Sequence, residues 1–260
     1  MSVIYLNKIL TEGCYKLIRG ISIPIVDKCF HPIILNSEQV PFDDPVVFAP
    51  NHRSTLDPFI ISTSVKKPIH WEALKRFFDA KDSIFNNSKN VVLRYTTAVM
   101  FRMIGAVPLE RKQDLPKDGD NAQRIANNLK SIEKINQYLQ LGGAAGIFPE
   151  GTTNKNPEEK NLGSMEPTLI KSAKDKEAWL QPVAIVWIKN PNIKNKVIVN
   201  FLQAYKVNSE LSVKQALREY IEILNSGIEE NKKIINSLCE IEQTMNVPHQ
   251  KVKSICLHRK

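Results

Sequence analysis

An α/β fold with a mixed, largely parallel sheet flanked by helices is what this sequence predicts, and three observations carry the expectation. Short apolar, β-like runs alternate with helical stretches along most of the chain, the pattern of strands joined by crossover helices. A hydrophobic content of 42% in 260 residues can supply a sizeable core, which disordered chains lack. No repeat at a fixed period and no low-complexity tract competes with that reading.

The first twenty residues have the period of an amphipathic helix, with Val3, Leu6, Leu10, Cys14, Leu17 and Ile18 on one side and Lys8, Glu12, Lys16 and Arg19 on the other. Gly20 can end it and Pro24 opposes resumption. A second apolar stretch, Ile21 to Leu35, follows. The pair reads either as a helical cap packed on the protein's own core or as a monotopic membrane anchor with snorkelling lysines. We take residues 1–38 as a two-segment amphipathic docking motif and residues 39–260 as the α/β domain with a helical C-terminal part. Within that domain, strands are expected at Pro45–Ala49, Gly105–Leu109, Ala144–Phe148, Pro182–Trp187 and Val197–Leu202. Asp57–Ser64 is expected to begin a helix, and further helices are expected from Asn121 to Leu141 and from Ser212 onward, where Ser212 and Gln215 form a capping box. Lys112–Asp120 and Asn154–Gly163 are polar loops.

The net charge is +9, which suits an anionic membrane, a phosphate-bearing substrate, an acidic carrier protein or nucleic acid. Charge alone does not choose among them. A nucleic-acid binder would group arginines and aromatics on a recognition surface, but aromatics are 7% of the chain and no such motif is recognised. The four cysteines are scattered, without a CxxC pair, so neither a zinc ribbon nor a disulfide scaffold is expected. There is no run of about 18 uncharged apolar residues, so no transmembrane helix is expected either. No cleaved leader is foreseen, because a compact apolar segment with a small-residue cleavage site is missing.

Four stretches carry chemistry. Asn51–Pro58, NHRSTLDP, follows the first strand directly. Histidine titrates near neutrality and can take a proton from a hydroxyl; a carboxylate on its other ring nitrogen fixes the tautomer. His52 and Asp57 are five apart, so they meet only if the chain turns between them. A loop entering a helix supplies that turn, with Ser54 or Thr55 as cap and Pro58 in the first turn. Phe148–Asn154, FPEGTTN, also follows a strand: Gly151 permits a tight turn, and Glu150 stands where α/β proteins bind ligands. Gly105–Arg111, GAVPLER, puts an arginine beyond a strand end, a good bidentate phosphate ligand. Leu180–Val186, LQPVAIV, reads as a buried strand whose entrance Pro182 fixes.

Together, from about Val46 to Ile188, these blocks resemble the glycerolipid acyltransferase family, of the 1-acylglycerol-3-phosphate acyltransferase type. NHRSTLDP is similar to its NH-x4-D block, GAVPLER to its G-x5-R block, FPEGTTN to its FPEGTRS block and LQPVAIV to its VPV-type block. The resemblance implies the glycerol-phosphate acyltransferase fold, with His52 as general base and Asp57 as its orienter. It further implies Arg111 on the acceptor phosphate, and Glu150, Gly151 and Thr152 lining the glycerol-phosphate pocket. The donor would be an acyl thioester on acyl carrier protein or coenzyme A, with no metal and no other cofactor. The implied acceptor is lysophosphatidate, and the implied place is the cytoplasmic face of a membrane with anionic lipids; alternative acceptors are glycerol-3-phosphate or another lysophospholipid. Two departures bear on the acceptor. The family's arginine after Glu-Gly-Thr is Thr153 here, and its lysine before the second block falls about at Lys81, which the resemblance implies as a further phosphate ligand, in a stretch lacking the expected Pro and Gly. A catalytically silent, lipid-binding relative is the other possibility, against which the His52/Asp57 pair stands.

Overall fold

A computed structural model of the chain describes residues 3–78, 98–99, 101–114, 119–154, 157 and 159–245. The strands are β1 (Ile33–Leu35), β2 (Val46–Pro50), β3 (Ile69–Leu74), β4 (Val107–Leu109), β5 (Ala144–Gly146), β6 (Trp179–Trp187), β7 (Val197–Phe201) and β8 (Tyr205–Lys206). They form one sheet in the order β1-β7-β6-β2-β5-β3-β4, with β8 beside β6. From β6 to β4 every pairing is parallel, whereas β7 and β8 run antiparallel to β6 and β1 runs with β7. The sheet is therefore mixed and largely parallel, and its parallel part brings the carboxyl ends of β2, β3, β4 and β5 to one edge.

The strands are apolar without alternation because both faces are covered. On one face, α3 (Asn121–Gln140), α4 (Thr168–Asp175) and α5 (Val213–Met245) bury Ile135, Leu139, Leu169, Ile170, Tyr220 and Leu224 against Val47, Ala49, Ala145 and Leu180. On the other, α1 (Val3–Phe30) and α2 (Asp57–Ser64) bury Val26, Ile60 and Ile61 against Val46, Phe48, Ile69, Trp71, Val183 and Ile185. The even and odd residues of VVFA thus feed two cores. At the start of α5, Ser212 and Gln215 satisfy each other as a capping box does: the Ser212 amide donates to Gln215 Oε1 (3.0 Å) and the Gln215 amide to Ser212 Oγ (3.3 Å).

Two expectations are corrected. The N-terminal region is one helix, not two segments: α1 runs through both Gly20 and Pro24 to Phe30, and His31 at φ +42° ends it. Packing overrides the local break. One side of α1 buries Tyr15 and Val26, and Arg19 donates from Nε to the carbonyl of Ser62 (3.2 Å) and from Nη2 to that of Thr63 (3.0 Å). A guanidinium there satisfies orphan carbonyls at the end of α2 and complements its dipole. Leu10, Leu17, Ile21 and Ile25, spaced by seven, four and four, stand 55–65% exposed on α1.

The second correction concerns Pro182, which lies inside β6 rather than at its entrance. Proline lacks the N–H that an interior strand position needs. The amide of Leu202 donates to the Pro182 carbonyl (3.0 Å), but nothing on the proline can return the bond. The buried side chain of Gln181 supplies the missing donor, from Nε2 to the Leu202 carbonyl at 2.6 Å. Replacing Gln181 by Leu should therefore strand a buried carbonyl and cost about 1–3 kcal/mol. Urea unfolding measures this, and an unchanged midpoint would show that Leu202 does not depend on Gln181.

Candidate active site

The turn between β2 and α2 is organised by one carboxylate. Asp57 is fully buried, and its Oδ2 lies 2.9 Å from His52 Nδ1. The same oxygen accepts the backbone amides of Arg53 and Ser54, both at 2.7 Å, while Oδ1 accepts the indole N–H of Trp187 at 2.9 Å. Three other donors converge on Asp57, so it is the acceptor toward His52 as well. The proton then sits on Nδ1, and Nε2 keeps a free lone pair that can accept a proton. The amides gathered by Asp57 also close the turn, so neither Ser54 nor Thr55 caps α2 by a side-chain bond; Leu56 is the N-cap, and Pro58 stands in the first turn as expected.

The backbone of His52 is held from the loop that follows β5. Its N–H donates to Glu150 Oε1 (2.7 Å), and its carbonyl accepts the Asn154 amide (2.9 Å). Glu150 Oε2 accepts the Gly163 amide at 2.6 Å. The Glu150 carboxyl is thus spent on main-chain amides and does not line the cavity beside His52, contrary to its expected place in the glycerol-phosphate pocket. Burial pushes it above the usual carboxylate range, against the lowering effect of those two bonds. Just before His52, Asn51 extends the sheet where β2 ends. Its side chain donates to the Ile185 carbonyl (2.9 Å) and accepts the Ile185 amide (2.7 Å).

A cavity of about 150 Å³ opens at His52. The His52 ring lies 4.1 Å from that of Phe148, which stacks at 5.0 Å on Trp71. Phe59, Phe77, Phe101, Ile104 and Leu109 give the cavity an apolar wall, while Arg76, Arg111, Gly151, Thr152 and Thr153 also line it. The structure thus gathers His52, Asp57, Arg111, Gly151 and Thr152 around one place; Gly151 takes the φ of +62° that its turn requires. Lys81 lies outside the described residues. Two charged residues of the lining, Arg76 and Glu72, belong to none of the four sequence blocks. Arg76 lies in the single turn after β3, and Glu72 stands within β3, where burial pushes its carboxyl up to about 7. Only the pairing of β3 between β5 and β4 brings both to the pocket, and the run from Ile69 to Leu74 offers no motif. In the sequence Trp187 is a strand residue, and nothing local marks its bond to Asp57.

A base-and-orienter pair beside an apolar cavity with arginines, at the carboxyl edge of a largely parallel sheet, is the equipment of an acyl-transferring enzyme. The chain belongs to the acyltransferase family, whose sequence profile matches residues 31–186. Its fold is shared by the 1-acyl-sn-glycerophosphate (LPA) acyltransferase PlsC from Thermotoga maritima. The two align with a TM-score of 0.53 and 19% identity over 87% of this chain and 80% of that one. No curated protein sequence matches the chain significantly.

With His52 as the base, His52→Ala should lower turnover by about 10²–10⁴-fold while far-ultraviolet dichroism stays as in the wild type. Asp57→Asn should be similarly severe, because an amide can hold the wrong tautomer. Retention of more than about a tenth of the rate in His52→Ala would remove the histidine from the chemistry.

Proposed function

We propose that the chain transfers a fatty acyl group from an acyl thioester, on acyl carrier protein or coenzyme A, to the free hydroxyl of lysophosphatidate, giving phosphatidate for phospholipid synthesis. The observation that carries this reading is that His52, held at Nδ1 by Asp57, and Arg111 line one cavity. His52 takes the proton of the acceptor hydroxyl as its oxygen bonds to the thioester carbonyl carbon. The tetrahedral intermediate collapses, the carbon–sulfur bond breaks, and the departing sulfur takes the proton back from His52. No metal, further cofactor or covalent enzyme intermediate enters this scheme. Amides near the thioester carbonyl would stabilise the developing oxyanion, and the apolar wall suits hydrocarbon chains.

The same reading places the protein on a membrane surface bearing anionic lipids, at its cytoplasmic face. No described helix is long and apolar enough to cross a membrane. The stripe Leu10, Leu17, Ile21 and Ile25 lies opposite the side of α1 that is docked on α2, an arrangement suited to a helix lying in the interface. A panel of acceptors (lysophosphatidate, glycerol-3-phosphate, other lysophospholipids, monoacylglycerol) with both thioester donors, followed by thiol release, tests the assignment. Faster turnover of a phosphate-free acceptor would overturn it.

Arg111 is the phosphate ligand in this scheme, and Thr153 offers no guanidinium to share the task. Arg111→Ala should raise the acceptor KM at least about tenfold, and Arg111→Lys should recover little, because a point charge lacks the fork. Equal losses on lysophosphatidate and on monoacylglycerol would assign Arg111 to the fold or the donor instead. For the membrane, glutamates at positions 10, 17 and 21 should release the protein from phosphatidylglycerol vesicles in sedimentation assays with the melting temperature retained. Continued binding would rule the stripe out as the docking face.

A further inference from the structure

The arginine assigned to the acceptor phosphate is not bare. Arg111 Nε donates to Asp114 Oδ2 at 2.7 Å and Nη2 to Asp114 Oδ1 at 2.8 Å. A single 3-10 turn, Lys112–Asp114, brings the two together. This is the fork-to-fork geometry with which a guanidinium holds either a carboxylate or a phosphate. A second cation faces the same carboxylate: Arg76 is close enough to act on it electrostatically. Arg76 is exposed, lies 5.3 Å from the Phe77 ring and makes no hydrogen bond in the described structure. Both arginines line the cavity that His52 closes. One carboxylate is thus held by a bidentate arginine within the field of a second, and it is the arginines that line the cavity.

We propose that Asp114 fills the phosphate seat of the empty enzyme, and that a phosphomonoester acceptor binds by displacing it from Arg111, with Arg76 as the second cation. This rests on the reading of a phosphate-bearing acceptor given above. The exchange breaks no covalent bond; one anion replaces another. A dianionic phosphate competes well for two arginines against a single carboxylate. A neutral glycerol headgroup does not, so Asp114 discriminates against acceptors without phosphate. Its guanidinium partner holds the Asp114 carboxyl below the usual range, so the occupant stays charged through neutral pH. The cost is affinity, because the acceptor meets a competent seat only in the fraction of molecules whose Arg111 is free. Arg76 supplies a guanidinium that the Glu-Gly-Thr loop, with Thr153, does not.

The test uses the full chain and the variant Asp114→Asn, which keeps the shape and removes the charge, with Asp114→Ser as a second variant should the first fold poorly. The KM for lysophosphatidate should fall about two- to fivefold, the span of a partly exposed ion pair. Inhibition by inorganic phosphate should strengthen in parallel, and the KM for monoacylglycerol should not follow. Arg76→Gln should weaken lysophosphatidate and inorganic phosphate together. A rise in the lysophosphatidate KM of Asp114→Asn would show that Asp114 merely orients Arg111 and would overturn the proposal; so would no change. If no phosphate-bearing acceptor is turned over by the wild type, the functional reading fails separately. Calorimetric titration with glycerol-3-phosphate then still decides: tighter binding to Asp114→Asn supports the seat, and equal or weaker binding refutes it.

Discussion

The site depends on the Asp57 carboxylate. Removed from water, it is tolerable only because donors surround it: two backbone amides, an imidazole and an indole. Burying a charge without such partners is prohibitive. Each bond also shapes something. The amides of Arg53 and Ser54 set the path of the turn, the imidazole is held in one tautomer, and Trp187 ties α2 to β6. Phe30 meets Trp187 edge-on at 5.7 Å, so the end of α1 is packed against the same assembly. Orientation of the base and closure of the fold are one set of interactions.

The parallel sheet explains why the remaining parts converge. Where β2, β3, β4 and β5 end, four loops leave in the same direction, bringing His52, Arg76, Arg111 and Thr152 to one cavity. The roles of the carboxylates separate by surroundings. Glu150 is buried on two amides and braces the backbone of His52, Asp57 holds the ring, Asp114 meets a guanidinium at the rim, and Glu72 stands against the cavity with a raised pKa. Chemistry by residue type alone would not tell these four apart.

Much of the fold was legible in the sequence because strands covered on both faces are nearly continuous apolar runs. VVFA and VIVNF stand out for that reason, and a helix beginning at Asp57 is legible after NHRST. β3 escaped because His70 and Glu72 interrupt its run, and β1 because it has only three residues. α1 was divided in two because Gly20 and Pro24 are local breakers, whereas Arg19 and Tyr15 dock the helix by bonds to residues more than forty positions away. Within the site, the dyad could be read from spacing plus a turn. The bracing role of Glu150 could not, since a carboxylate at a strand end looks alike whether it faces a ligand or an amide. Arg76 and Trp187 belong to no local pattern and are recruited by strand order alone.

The bonds that assemble the base are also among the most distant in the chain. His52 is joined to Glu150 across 98 positions, Asp57 to Trp187 across 130 and Asn51 to Ile185 across 134. Closing such loops is entropically expensive and slow compared with forming local helices. The surroundings of the dyad are therefore set by long-range pairing rather than by its own local turn. A nascent chain ending short of Trp187 contains the whole NHRSTLDP segment yet lacks the indole that seats Asp57. The seating of Asp57 thus depends on the completed central sheet, and a half-made chain lacks the indole donor that Trp187 gives it.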